Sequence, residues 1–284
     1  MSLKKYCLIT FLILGGAAVF LLSNFSQGYN TGWTHPTLAE KSARIFNQYG
    51  GGNLSEADIR QIVQGAVNED TPPRWVNHFY DPTTGQGWTG ERMGSLPAGV
   101  LRLFTSIGLT QASPVAAPDW ARNQTLQERY LMYEGNRTFQ KAVYDYVNGD
   151  KAAAYRSLGH VLHLIEDMTV PAHTRQDTHV DALGDPGEPF EKWVEETKDS
   201  SPLNNLNPTQ ENFHCQNLND CFNQAAKYSN ENFFSEDTIN DRGYKKPIAT
   251  RVDSIIGSVD TYYKVDESGY EYPLAIFIFK ARTV

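Results

Sequence analysis

Apolar residues recur at the three- and four-residue spacing of α-helices over much of this chain. The pattern predicts a first helix from Thr34, which is placed to cap it, to Tyr49, and a second helix from a Ser55 cap to Asp70. The predicted apolar faces are Leu38, Ile45, Phe46 and Tyr49 in the first helix, and Ile59, Ile62, Val63, Ala66 and Val67 in the second.

The rest of the chain continues the helical pattern, with one long interruption. Residues 81–124 are rich in Gly, Pro, Ser and Thr and predict a loop-dominated excursion. Further helices are predicted from near Thr125 towards Val147, from an Asp150 cap to Val170, and over 188–199, 218–231 and 247–264. Residues 270–284 are compatible with a strand or a packed tail. We therefore expect an all-α fold, a single-domain multi-helix bundle with long loops.

The amino-terminal segment has the layout of a targeting signal. Lys4 and Lys5 precede an apolar run over residues 6–22, and polar residues follow it. The same run is long enough to be an uncleaved membrane anchor. We expect residues 1–32 to be a signal peptide or anchor with a short propeptide, and residues 33–284 to be the functional domain. The chain is then secreted or periplasmic, or anchored to a membrane through residues 6–22.

Composition and cysteine usage narrow the class of protein. The hydrophobic content of 40% is that of an ordinary globular chain, and the formal net charge of −8 argues against a broad basic surface for nucleic acid. Cys215 and Cys221 are close enough for a local disulfide loop in an exported protein, whereas in the cytosol they would be free thiols. Their spacing excludes a Cys-x-x-Cys metal pair.

The candidate chemistry is concentrated in one stretch of histidines and aspartates. His160, His163, His173 and His179 are interleaved with Asp167, Asp177, Asp181 and Asp185. On a helix, His163 and Asp167 lie one turn apart on the same face as His160. Taken alone, that pair could be an ordinary ion pair within the helix. The helix-ending Pro171 and the histidines directly after it instead favour a metal site that collects ligands from several segments.

Two segments of the sequence resemble the bacterial zinc-dependent phospholipase C family. Residues 158–173, LGHVLHLIEDMTVPAH, resemble the core of that family, and residues 77–85, NHFYDPTTG, resemble its second signature. Asp70, the PFEKWV segment around Glu191, and the Trp33–His35 pair match the family at further points in the same order. The resemblance covers most of the chain after residue 32.

The resemblance implies a set of metal ligands and two or three zinc ions. The implied ligands are Trp33, His35, Asp70, His78, His163, Asp167, His173, His179 and Glu191. Asp70 is also implied as the general base, and Asp167 as a bridge between two metals. The family's Trp binds through its own α-amino group, so Trp33 requires processing after Gly32. Gly187 stands where the family has a histidine; His179 or Asp185 could replace it, or that zinc site could be weaker or absent.

The implied activity is exported phospholipase C, which hydrolyses glycerophospholipids to diacylglycerol and a phosphorylated head group. The expected partner is a phospholipid at a membrane surface, with no nucleic acid and with the enzyme as a monomer. Trp75 and His160 are the candidate substrate contacts, with core packing as the alternative for Trp75. Two other functions stay open: a zinc nuclease for single strands or another phosphoesterase, and a non-catalytic exported protein that zinc stabilises.

Overall fold

The fold is taken from a computed structural model of the chain. It describes residues 32–71, 74–89, 114–130, 133–177, 190, 191, 194, 215–235, 238, 241–249, 251–253, 261–265 and 271–275. The predicted signal or anchor, His179, Asp181, Asp185 and Gly187 lie outside these residues.

Helices dominate the described chain, which confirms the predicted all-α class. Their bounds are α1 Thr34–Tyr49, α2 Glu56–Glu69, α3 Ala117–Trp120, α4 Gln124–Arg129, α5 Phe139–Val147, α6 Lys151–Asp167, α7 Pro171–Thr174 and α8 Leu218–Asn232. A 3₁₀ turn occupies Arg74–Asn77. Residues 190, 191 and 194 are also helical, within the predicted stretch 188–199.

The carboxyl-terminal part of the described chain corrects one prediction. The helix expected over 247–264 is wrong, because Arg251–Asp253 (β1) and Thr261–Val265 (β2) are strands. Together with Glu271–Ala275 (β3) they form an antiparallel sheet in the order β1-β2-β3, with Val252 opposite Tyr262. The aromatic and β-branched residues of β2 suit a pleated strand better than a helix. The sheet is small and leaves the fold mostly helical.

Helix α1 begins one residue earlier than predicted and buries a different face. Trp33 is its N-cap, and Thr34 lies inside the helix and is buried, so the predicted Thr34 cap is wrong. The buried residues are Thr34, His35, Ala39 and Ala43, whereas Phe46 is 49% exposed and Tyr49 is 55% exposed. The small alanines let α1 lie close to Ile59, Ile62 and Ala66 of α2, which a face of large side chains would prevent.

Helix α2 agrees with its prediction. The backbone N–H of Asp58 donates to the Ser55 hydroxyl over 3.2 Å, and the Ser55 N–H donates to the Asp58 carboxylate over 2.8 Å. This reciprocal capping box stabilises the first turn of α2. Ile59, Ile62 and Ala66 are buried as expected.

The long helix predicted from Thr125 to Val147 is wrong, since two helices occupy this region. Glu134 and Gly135 both have positive φ, at 56° and 88°, and a helix cannot pass through two such residues. Helix α5 starts afresh with Thr138 as its N-cap, whose side chain accepts a hydrogen bond from the Lys141 N–H. Gly135 is the one local sign of this break in the sequence between Thr125 and Val147.

Helix α6 runs between two apolar clusters. Val161, Leu164 and the following Met168 belong to a cluster with Trp120 and Phe222, while Tyr155 and Leu162 pack against the α1–α2 cluster. The remaining face carries His160, His163 and Asp167, all of which are buried. The packing on both sides fixes the rotation of α6 and points this polar face at the end of α2.

The backbones of α2 and α6 are in contact at two glycines, one on each helix. A Cβ atom added at Gly65 would lie 2.0 Å from the Arg156 carbonyl oxygen, and one added at Gly159 would lie 2.0 Å from the Ile62 carbonyl oxygen. Real side chains do not tolerate such distances. The two glycines therefore allow the backbone contact that brings the carboxyl-terminal end of α2 next to His163.

We predict that Gly65→Ala lowers the free energy of unfolding by about 2 kcal/mol or more, because the added methyl group forces the two helices apart. Urea unfolding followed by circular dichroism measures this change. Ala152→Ser, at an exposed position of α6, is the control and should change stability by less than about 0.5 kcal/mol. Equal stability of Gly65→Ala and the wild type would contradict the described contact between the helices.

Cys215 and Cys221 form the predicted disulfide at the start of α8. Such a bond is typical of proteins that fold in an oxidising compartment. Among the described residues, no helix combines the length and apolar character needed to cross a membrane.

Candidate metal centre

Six side chains from five segments converge where α2 ends. Helix α1 supplies His35, the C-cap of α2 is Asp70, and His78 follows the 3₁₀ turn. Helix α6 supplies His163 and Asp167, and α7 supplies His173. All six are buried, with exposed fractions of 2% or less. Such a concentration of imidazole and carboxylate groups away from water needs an electrostatic explanation.

His163 lies at the middle of this group. Its Nδ1–H donates a hydrogen bond to the Ala66 carbonyl oxygen over 2.7 Å. The other ring nitrogen, Nε2, is therefore the one that can bind a metal. That atom lies 3.3 Å from Asp167 Oδ2 and 3.4 Å from Asp70 Oδ1. A backbone acceptor behind the ring and two carboxylates in front of it are the surroundings of a metal-binding histidine.

His78 approaches the same two carboxylates through Nδ1, whereas His163 approaches them through Nε2. Its Nδ1 lies 2.9 Å from Asp167 Oδ2 and 3.6 Å from Asp70 Oδ1. The ring meets His163 edge-on, with centroids 4.8 Å apart. His78, His163 and Asp167 each offer one ligand atom, and these three atoms lie within 4.8 Å of one another.

His35 completes a second group on the opposite side of Asp167. Its Nδ1 lies 2.7 Å from Glu166 Oε2, while Nε2 lies 3.5 Å from Asp167 Oδ1 and 4.0 Å from Asp70 Oδ2. The imidazole stacks on His163 with a centroid distance of 3.6 Å. His35, Asp70 and His163 also offer three ligand atoms within 4.8 Å of one another. The two oxygens of Asp167 thus face different histidines.

The donor set fits a metal ion. Within the described residues, His163 Nε2 and both oxygens of Asp167 are buried and make no hydrogen bond. Leaving buried polar atoms in that condition costs roughly 1–3 kcal/mol each, and an ion bound between them would remove this cost. Imidazole nitrogens and carboxylate oxygens together are ligands that suit zinc and other divalent transition metals.

The electrostatics of the cluster also favour a cation. Burial lowers the pKa of His35 to about 3, and the neighbouring His163 acts in the same direction. Burial alone would lower the pKa of His163, but the Asp167 and Asp70 carboxylates outweigh it and raise the pKa well above its ordinary value. Burial would raise the pKa of Asp167, yet the surrounding histidines, with His163 first, hold it well below its ordinary value. The carboxylates therefore stabilise positive charge at this position.

His173 lies at the edge of the cluster, next to Glu191. Its Nδ1–H donates to the His78 carbonyl oxygen over 3.1 Å, and its ring stacks on Phe79 with centroids 4.6 Å apart. Its Nε2 lies 3.8 Å from Glu191 Oε1. The two residues are thus near enough to share an ion. Because Gly187 and His179 lie outside the described residues, their relation to this pair stays a prediction.

Three other predicted residues have distinct places. Trp33 is half-buried before α1, and its carbonyl oxygen accepts a hydrogen bond from the Thr37 N–H over 3.0 Å. His160 is buried one turn before His163 and bonds to Glu69 rather than to the central carboxylates. Trp75 is 7% exposed, and its ring lies 5.7 Å from that of Trp88. The metal role of Trp33 and the substrate roles of His160 and Trp75 stay predictions.

The segment carrying His173 is held in place by α8 through Arg175. The buried Arg175 guanidinium donates from Nε to the Asn230 carbonyl oxygen over 3.0 Å and from an Nη to the Lys245 carbonyl oxygen over 2.8 Å. The Asn230 amide in turn donates to the Thr174 carbonyl oxygen over 2.6 Å. This support is not apparent from the sequence, because the partners are 55 or more residues apart in the chain.

The buried Glu69 and the partly buried Glu166, each next to a predicted ligand, were also missed. Glu69 precedes Asp70 and bonds to Arg74, Trp120 and His160, and Glu166 precedes Asp167 and bonds to His35. Their positions beside Asp70 and Asp167 were a usable signal. Their partners become visible only once the helices are packed.

Comparisons with known proteins give limited information. No protein-family model and no curated protein matches the chain. Among solved structures, the chain is similar to the alpha toxin from Clostridium absonum, with 19% identity and a TM-score of 0.45 over 72% of this chain. The match spans 55% of that toxin chain, about half its length. At this identity and TM-score the similarity assigns no function.

Proposed function

We propose that this protein is a zinc-dependent phosphodiesterase of the phospholipase C type. The observation that carries the proposal is the convergence of His78, His163 and Asp167, whose buried ligand atoms lie within 4.8 Å of one another. A neighbouring ion would be held by His35 and Asp70, with Asp167 Oδ1 3.5 Å from His35 Nε2. His163 belongs to both groups, and its Nε2 would bind only one of the two ions. Glu191 and His173 are the proposed ligands of a further ion.

The residues have separate roles in this proposal. Zinc bound by these ligands supplies a Lewis acid for water and for the phosphate oxygens. Asp70 Oδ1 lies 3.4 Å from His163 Nε2, so its carboxylate is at the centre and can accept a proton from the attacking water. The hydrogen bond from His163 to the Ala66 carbonyl oxygen and the contact of His35 with Glu166 orient the two imidazoles.

A phospholipid is the proposed substrate because of the sequence signatures. The NHFYDPTTG segment, whose His78 contacts Asp167, resembles the phospholipase family. The net charge of −8 disfavours a nucleic acid held along a broad basic surface. The products are then diacylglycerol and a phosphorylated head group. The disulfide supports action outside the cytosol, in a secreted or periplasmic protein.

The test is hydrolysis by the zinc-loaded protein of phosphatidylcholine vesicles and, in parallel, of single-stranded DNA. We predict zinc-dependent release of phosphorylated head group, and a loss of about 100-fold or more in Asp70→Asn, the range expected for a general base. The matched control is Asp119→Asn. The side chain of Asp119 is 64% exposed and forms an ion pair with the nearby Arg122, away from the candidate site. Its activity should equal that of the wild type.

Each alternative function predicts a different result in this assay. Cleavage of DNA without cleavage of lipid would replace the phospholipase by a nuclease with the same metal centre. Zinc binding without turnover of either substrate would contradict an enzyme of this type and favour a protein that zinc stabilises.

A further inference from the structure

Glu69 is a buried carboxylate at the end of α2 that receives hydrogen bonds from three segments. Its Oε2 accepts from Arg74 Nε over 2.8 Å and from His160 Nδ1, and its Oε1 accepts from Trp120 Nε1 over 2.7 Å. The exposed fraction of Glu69 is 0%. Such a set of charge-assisted bonds holds the carboxylate rigidly.

The donors are themselves anchored. Arg74 donates from another guanidinium nitrogen to the Tyr133 carbonyl oxygen over 2.6 Å, and its guanidinium lies 5.0 Å from the centre of the Trp120 ring. Trp120 is fully buried in the apolar cluster that also contains Val161 and Leu164 of α6. Glu69 therefore connects the 3₁₀ turn, α3 and α6 at one point.

This carboxylate also faces the back of a proposed metal ligand. His78 presents Nδ1 to Asp167 over 2.9 Å, while its Nε2 lies 3.6 Å from Glu69 Oε1. A hydrogen bond between nitrogen and oxygen spans about 3.0 Å, so a movement of roughly 0.6 Å would close it. A histidine that binds a metal through one ring nitrogen usually donates the other N–H to a carboxylate or carbonyl.

We propose that Glu69 is a positioning residue that fixes the ring of His78 so that Nδ1 is the metal ligand. The proposal rests on the metal centre proposed above and adds a function to a residue outside the predicted ligand set. Glu69 accepts the Nε2–H of His78 while Arg74, Trp120 and His160 keep its carboxylate in place. The neighbouring Asp70 then faces the ion, and Glu69 faces away from it.

The alternative is that Glu69 only stabilises the fold by compensating the charge of the buried Arg74. The two roles differ in their effect on the ion. If Glu69 only stabilises the fold, its replacement lowers the melting temperature of the metal-free protein and leaves the metal affinity unchanged. A positioning role predicts weaker metal binding and a changed coordination geometry around the ion.

The test is Glu69→Gln in the full mature chain, titrated with Co²⁺ and with Zn²⁺ against a competing chelator. We expect the Kd for both ions to rise by about 10- to 100-fold, the range for residues that orient a metal ligand. We also expect the visible absorption bands of bound Co²⁺ to shift. Glu56→Gln is the matched control, since Glu56 is on the same helix with its side chain 64% exposed. Its Kd and spectrum should equal those of the wild type.

A wild-type Kd and an unchanged Co²⁺ spectrum in folded Glu69→Gln would overturn the proposal. If that variant does not fold, His160→Leu gives the decisive result, because it removes one donor to Glu69 and leaves Arg74 paired. A Kd raised about threefold or more with a shifted spectrum supports the proposal, and unchanged values contradict it. If the wild type itself binds neither ion, the metal centre fails; if it binds metal without turnover, only the enzymatic function fails.

Discussion

Asp167→Asn is expected to abolish activity and to weaken zinc binding by about 1000-fold or more. Both oxygens of Asp167 face histidines, with Oδ2 2.9 Å from His78 Nδ1 and Oδ1 3.5 Å from His35 Nε2. An amide replaces one anionic oxygen by an N–H donor, which repels a cation and cannot bridge two ions. Since a bound metal contributes several kcal/mol, the loss of its central ligand has an effect of this size.

Zinc affinity by chelator competition and head-group release from vesicles measure the two effects in Asp167→Asn. Circular dichroism establishes that the variant is folded, and Asp119→Asn again serves as the exposed control. A folded Asp167→Asn protein with zinc affinity within threefold of the wild type would remove Asp167 from the ligand set. It would also remove the carboxylate that faces both His78 and His35.

Removal of metal is expected to lower the melting temperature by about 10 °C. An ion present at 1000 times its Kd stabilises the folded state by about 4 kcal/mol, and each kcal/mol shifts a domain of this size by about 2–4 °C. The physical reason is that the ion compensates the buried polar atoms of His78, His163 and Asp167, which face one another. Differential scanning calorimetry with and without a chelator measures the difference.

Stoichiometric zinc should restore the original melting temperature, whereas magnesium should not. Magnesium prefers oxygen ligands and holds its water, so a centre rich in imidazole suits it poorly. A melting temperature that does not change with chelator, or that zinc and magnesium raise equally, would contradict the proposed zinc centre.

Much of the candidate metal centre was predictable because its central residues are close in sequence. The spacing of His163 and Asp167 places them on one face of α6, and the structure brings them to within 3.3 Å. The capping box at Ser55 and the buried face of α2 were also predictable from local pattern. The convergence of His35 and His78 on that face came from the family resemblance, since neither residue is near α6 in the chain.

The missed features depend on packing between distant segments. Glu69 and Arg175 are ordinary charged residues in sequence, and their roles depend on partners such as Trp120 and Asn230. The buried face of α1 was misjudged because Phe46 has a strongly apolar side chain, yet the close approach to α2 selects alanines. The strand β2 was misjudged as helix because apolar periodicity in a short segment does not distinguish the two.

The most direct test of the metal centre is anomalous diffraction from crystals of the zinc-loaded protein, recorded on both sides of the zinc absorption edge. We predict an anomalous peak bounded by His78 Nδ1, His163 Nε2 and Asp167 Oδ2, with a second peak on the His35 side of Asp167. Zinc peaks only at surface sites, with His163 and Asp167 bound to none, would contradict the account.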